Sequence, residues 1–191
     1  MNPRLIVPGV IFWLCACSPG PDAWLGAAIE IEVPASDGSR FPDLSLGPAG
    51  DIVVSWLEPH EDNGFALKFA HWSSSGWRPA AEVAHGEDWF VNWADFPSVV
   101  PLGGQRLAAH WLQKTPGNVY SYQVRMSVSE DDGRSWSAPV TPHADGTPTE
   151  HGFVSLYGTA DLAMAVWLDG RNTLPGDDHA TTASSAMTLR H

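Results

Sequence analysis

One stretch of the chain packs two serines, an aspartate, a glycine and a tryptophan into eight residues. It is Ser129-x-Asp131-x-Gly133-x-Ser135-Trp136, within "SVSEDDGRSWSAP". A carboxylate flanked by hydroxyls can bind a ligand or close a turn. Val124, Met126 and Val128 lead into it in alternation, which is strand periodicity. A strand ending in Asp-Asp-Gly reads as a tight hairpin. Asp131 can accept backbone N–H groups across the turn, Gly133 can take a positive φ, and Trp136 can cover the turn from the next strand. The local chemistry closes without a ligand, so the turn reading is preferred.

The other reactive residues gain meaning only through the elements that carry them, and these elements repeat. "RFPDLSLGPAGDIVVSWLEP" begins at Arg40, "DFPSVVPLGGQRLAAHWLQK" at Asp95 and "GFVSLYGTADLAMAVWLDGR" at Gly152. Phe41, Phe96 and Phe153 correspond, as do Trp56, Trp111 and Trp167. Each copy reads as a short strand, a Gly-containing turn and a second strand ending in Trp-Leu. "ALKFAHW" and "QVRMSVS" supply third strands, in which Lys68 and Arg125 match. A hairpin then leads to a fourth strand, "RPAAEV" or "SAPVTP". Four strands in roughly 55 residues is the plan of a β-propeller blade, so an all-β fold is expected. Pro and Gly punctuate the whole chain and no stretch sustains helical periodicity.

In that plan the copy-start positions and the turns after the second strands gather around one channel. The first set is Arg40, Asp95 and Gly152, with Glu150 and His151 just before the last. The second is Glu58, Gln113 and Asp169, with Lys114 and Arg171 close by. These positions differ in charge between copies, as an asymmetric binding pocket would require; solvated loop ends are the alternative. Trp93, with Trp89 and Phe90, precedes a copy start. Those aromatic faces suit either a sugar ring or packing between repeats. His110 and His151 belong to no cluster with metal-ligand spacing, so no metal or cofactor is expected.

The chain has 191 residues, a formal net charge of −12, and 10 Lys+Arg against 22 Asp+Glu. That balance argues against a nucleic-acid surface, which needs a basic stripe. The start, "MNPRLIVPGVIFWLCAC", has Arg4 followed by an apolar run to Leu14. This is export-signal architecture, too short to span a bilayer as a mature helix. Leu14-Cys15-Ala16-Cys17 resembles a bacterial lipobox, which implies a signal peptide over 1–16 and lipidation of Cys17. Ser18 stands where an inner-membrane retention signal would carry Asp. Residues 17–35 then read as a tether, and the only membrane contact expected is through the lipid anchor on the cell envelope. With no cysteine after Cys17, the fold must hold by packing.

The Ser-x-Asp-x-Gly-x-Ser-Trp turn resembles the Asp box, or BNR repeat, of the sialidase superfamily. It falls between third and fourth strands, where that family carries it. Ser73, Gly76 and Trp77 are a degenerate copy. The resemblance covers about residues 36–191 and implies a six-bladed propeller, with blades here starting near 40, 95 and 152. "SAMTLRH" aligns with the start of a third strand, Arg190 matching Lys68 and Arg125. Two units and about half of a third cannot close a ring, so a truncated propeller is expected. Arg40-Phe41-Pro42 resembles the Arg-Ile-Pro that opens sialidase domains, whose Arg holds the substrate carboxylate; here Phe replaces Ile. Asp62 falls where sialidases place their acid/base Asp, although Glu58 and Glu61 compete for the role. Sialidases use a Tyr nucleophile from a later blade, and Tyr120, Tyr122 and Tyr157 do not match that motif. The resemblance therefore implies an exo-glycosidase acting on sialic-acid-like sugars. The alternatives are a non-catalytic propeller binding glycan or protein, or an inactive fragment.

Overall fold

The computed structural model describes residues 26–173 and 187–191. The signal peptide expected over 1–16 and the lipidation expected at Cys17 fall outside the described residues. Among the described residues there is no helix, and the fold is all-β. Residues 26–32, all exposed, belong to one compact unit, Met1–Glu32; the strands belong to another, Val33–His191.

The first sheet comprises β1 (Arg40–Leu46), β2 (Ile52–Pro59), β3 (Phe65–Ser73), β4 (Gly76–Trp77) and β5 (Ala81–Gly86). It runs β1-β2-β3, with β4 and β5 both pairing β3. The second sheet is β6 (Ser98–Pro101), β7 (Leu107–Lys114) and β8 (Tyr122–Ser129). The third is β9 (His151–Gly158), β10 (Ala163–Asp169) and β11 (Thr188–Arg190). All three are antiparallel meanders in one register: Trp56 faces Lys68, Trp111 faces Arg125, and Trp167 faces Arg190 across the second and third strands. A one-residue slip would turn each buried tryptophan to the opposite face, so burial pins the register.

The sheets stack through two cores. Val53, Leu57, Leu67 and Phe69 of the first sheet meet Val99, Leu107 and Trp111 of the second, with Trp89 stacked 5.5 Å from Trp111. Phe90, Leu112, Tyr122 and Val124 meet Trp167 of the third sheet, with Phe90 and Tyr122 stacked 3.9 Å apart. Trp89 and Phe90 are thus core residues; Trp111 and Trp167 pack between sheets, while Trp56 packs within the first sheet against Val54, Ala70 and Trp77.

The expected fourth strand of the second copy is reduced to one bridge, Val140 to Met126. Pro139 and Pro142 flank that bridge and offer no ladder donors. Arg125 holds the segment from the side, donating to Pro139 O and Thr141 Oγ1. The first and third sheets share an irregularity. Phe41 (φ 57°) and Phe153 (φ 52°) have positive φ, each within a register shift opposite Trp56 and Trp167. These bulges re-aim the start of each first strand.

Candidate functional site

The Ser129–Trp136 turn satisfies itself. Ser129 Oγ donates to Asp131 Oδ1 (2.9 Å) and accepts from Gly133 N (2.9 Å). Asp131 accepts from Ser135 N (2.8 Å) and from Ser135 Oγ (2.7 Å). Those bonds from Ser135 and Ser129 hold the Asp131 carboxyl down to about 2. Gly133 needs φ 80°, and a Cβ there would stand 2.3 Å from Phe69 Cζ. The turn therefore docks on the first sheet: Trp136 meets Phe69 edge-on at 5.9 Å. Asp132 pairs with Arg78 (2.6 Å) and His71 (3.3 Å) in the same sheet. The role of Asp132 as an inter-sheet clamp had no sequence signal, because its partners are more than 50 residues away.

The starts of β1, β6 and β9 lie side by side. The Phe41 and Phe96 rings stack at 6.4 Å, and Asp95 accepts the backbone N–H groups of Phe153 and Val154. Along these strands runs an open cleft of about 590 Å³. Its lining includes Asp43, Asp95, Ser98, His110, Phe153 and Tyr157, and no Lys or Arg. Tyr157 is exposed, as is Phe153. Burial pushes Asp95 up to about 6, opposed by the two N–H bonds and reinforced by Glu150. Burial likewise raises the Asp43 carboxyl. His110 is fully enclosed, with Nδ1 3.0 Å from Ser98 Oγ, and burial depresses it to about 4, so it is neutral.

Behind the cleft, Tyr122 O–H donates to Glu150 Oε1 at 2.5 Å and lies 3.4 Å from Asp95 Oδ2. Burial and the Glu150 contact keep this phenol protonated. Tyr122 is fully buried, which bars it from attacking a substrate. Gly152 makes the cluster possible, since a Cβ there would fall 2.0 Å from Asp95 Oδ2.

The next residues form a second polar cluster. His151 Nε2 faces Asp145 Oδ2 at 3.2 Å and Asp169 Oδ1 at 3.7 Å. His143 stacks on His151 at 3.9 Å and meets Asp145 through Nδ1 at 2.9 Å. Arg171 is bound to Asp169 at 2.5 Å. Burial would raise Asp169, but the Arg171 bonds prevail and hold it down to about 2. Asp145 sits well below the usual carboxylate range: hydrogen bonds from Thr147 and His143, with His151 alongside, outweigh the opposing effect of burial.

Of the sequence-derived candidates, Asp95, Glu150, His151 and Arg171 thus meet around the start of β9. Arg171 is committed to internal carboxylates. Arg40 is exposed and lies over the Phe65 ring, 5.3 Å from its centroid. Asp62 sits in the β2–β3 turn, 2.9 Å from His60 Nδ1. Trp93 projects into solvent, 83% exposed, from a turn that Asn92 closes by accepting Ala94 N and Asp95 N. Glu58 and Asp169 accept the indole N–H of Trp56 and Trp167, two residues earlier, which explains an acid after two of the second strands. The sequence showed no group with metal-ligand spacing, yet among the described residues two assemble in space: His60–Asp62–His85 and His143–Asp145–His151. Chain spacing did not reveal them: His85 lies on β5, remote in sequence from the turn carrying His60 and Asp62, and the spacing of His143, Asp145 and His151, the last opening β9, matches no metal motif.

Comparison with protein-family models returns no match, and comparison with curated proteins returns none.

Proposed function

We propose that this chain is an exported, lipid-anchored Asp-box repeat protein of the sialidase-like β-propeller kind, and that it binds carbohydrate in the cleft along β1, β6 and β9. The observation that carries the reading is the makeup of that cleft. Exposed aromatic faces, Tyr157 and Phe153, stand beside carboxyls and hydroxyls of Asp43, Asp95 and Ser98. Sugar sites combine an apolar ring platform with a few fixed polar groups in this way. The repeated register and the self-satisfied Ser129–Trp136 turn support the propeller reading.

The cleft lining holds two acids, no Lys or Arg, and a neutral His110, so it favours a neutral sugar over a sialate. Arg40, the residue matched to a carboxylate-binding Arg, is not among that lining.

Exo-glycosidase activity is a second reading, favoured by Asp95. A carboxyl raised to about 6 and bordering the cleft has the property a general acid needs.

The test is saturation-transfer NMR of the full chain against neutral mono- and disaccharides and a sialoside. Neutral sugars should show transfer that Tyr157→Ala abolishes and Arg134→Ala leaves intact. No transfer from any sugar, or transfer unaffected by Tyr157→Ala, overturns the cleft assignment. Turnover of a fluorogenic glycoside that Asp95→Asn removes would establish the enzymatic reading.

A further inference from the structure

We infer that the cluster at the start of the third sheet is a zinc site built from His143, Asp145 and His151. The first argument is donor accounting. His151 Nδ1 is aimed at two backbone carbonyls, Thr149 O at 3.1 Å and Tyr122 O at 3.3 Å. A carbonyl only accepts, so Nδ1 carries the hydrogen. The other nitrogen, Nε2, faces only carboxylate oxygens, those of Asp145 and Asp169. A bare lone pair would be repelled by these carboxylates, so Nε2 must meet a cation, either a proton or a metal ion. A histidine whose far nitrogen donates to a backbone carbonyl is also the usual arrangement of a metal ligand.

Spacing is the second argument. Zinc bonds of ~2.0–2.2 Å to nitrogen and oxygen in a tetrahedron put neighbouring ligand atoms about 3.3 Å apart. Here the separations are 2.9 Å from His143 Nδ1 to Asp145 Oδ1 and 3.2 Å from His151 Nε2 to Asp145 Oδ2. Two imidazoles with carboxylates suit zinc better than calcium or magnesium, which prefer all-oxygen shells.

Third, the cluster is built and reachable. The side chains of His143, Asp145, His151 and Asp169 are 5%, 8%, 1% and 0% exposed. His143 Nε2 is buried with no hydrogen-bond partner. His143 also borders a second cleft, of about 370 Å³, lined by Thr115, Gln123, Thr141 and Thr147. Thr115 Oγ1 there is likewise buried and unpartnered. The two imidazoles are within 3° of parallel, so sharing an ion requires them to tilt; His143, on the cleft side, has the space. Arg171 bonds both oxygens of Asp169, Nε to Oδ1 at 2.7 Å and Nη2 to Oδ2 at 2.5 Å, so Asp169 backs His151 as an outer carboxylate and is not a ligand.

The test uses the full chain stripped with EDTA and titrated with Zn2+ alone. His85→Ala removes the more exposed His60–Asp62–His85 group without touching the buried cluster. That variant should retain one tightly bound zinc, and zinc-edge X-ray absorption should show two imidazoles and carboxylate oxygen. His143→Gln should weaken this binding at least about a hundred-fold, since it removes a direct ligand and outer partners alone cost 10–100-fold. If His143→Gln does not fold, the absorption spectrum of His85→Ala still decides. No zinc binding by His85→Ala, or a shell without two imidazoles, overturns the inference and makes a proton the bridging cation. These outcomes are independent of sugar binding in the first cleft.

Discussion

Replacing Ser129 by Ala tests whether the Ser129–Trp136 turn is a structural device. Ser129 is 1% exposed, and its hydroxyl accepts the N–H of Gly133 at 2.9 Å while donating to Asp131 at 2.9 Å. Alanine leaves the buried Gly133 N–H without a partner, a loss of ~1–3 kcal/mol. For a domain of about 150 residues each kcal/mol lowers Tm by roughly 2–4 °C, so the expected fall is about 2–12 °C. Ser135 is exposed and its hydroxyl makes one bond, to Asp131, so Ser135→Ala should stay within about 0.5 kcal/mol of the wild type. Gly133→Ala should be the worst of the three. It places a side chain at φ 80° and sets a Cβ 2.3 Å from Phe69 Cζ. Backbone strain of ~1–3 kcal/mol adds there to overpacking of similar size. The assay is thermal unfolding of all three variants beside sugar binding measured well below every Tm. The expected order of Tm is Ser135→Ala, then Ser129→Ala, then Gly133→Ala, with sugar affinity unchanged throughout. Ser129→Ala melting with the wild type, or losing sugar binding while fully folded, would refute the reasoning.

Stability against pH gives a second check. Folding raises Asp95 to about 6, so its contribution is present below about pH 4 and lost as pH rises to 6. His110 is depressed to about 4, so its contribution is present above about pH 6.5 and lost as pH falls to 4. Burial lowers His71 and His143 as well, in the same sense as His110. The two windows oppose each other, and Asp95→Asn should therefore expose a Tm that falls steadily from pH 6.5 to 4; a flat profile in that variant would contradict the assignment. For the anchor, a fatty-acid probe should label the wild type and not Cys17→Ser when each is expressed in a bacterium, and equal labelling of both would remove the lipoprotein reading.

The all-β character was legible because strand alternation and turn residues act locally. Val124, Met126 and Val128 share a face, Gly133 takes the positive φ its turn requires, and Trp56, Trp111 and Trp167 recur at the same place in each unit. Lys68, Arg125 and Arg190 were matched to one another in the same way, and the sheets set each of them opposite the corresponding tryptophan. The fate of the aromatic run at 89–93 was not legible, since Trp89 and Phe90 enter the core while Trp93 faces solvent. All three are large aromatic side chains; backbone pairing to β7 directs Trp89 and Phe90 inward, and the Asn92 turn carries Trp93 away. The proline-flanked segment at 139–142 illustrates the reverse failure, because β propensity on paper could not supply the missing ladder donors.

Asp95, Glu150, His151 and Arg171 could be named from repeat position alone, but not their uses. Repeat position brings a residue to one end of a sheet; it does not say which polar groups stand opposite. Packing β9 against β6 turned Asp95 toward the N–H groups of Phe153 and Val154, while Arg171 folds back on Asp169, two residues before it. His143 and Asp145 carried no sequence signal at all. They lie in a loop whose path is set by the sheets on either side, and their partners His151 and Asp169 come from two different strands of the third sheet. Local sequence determines strands and turns because those depend on neighbouring residues. Shared burial, charge and ligand geometry depend on groups brought together across the chain, and only the tertiary structure decides them.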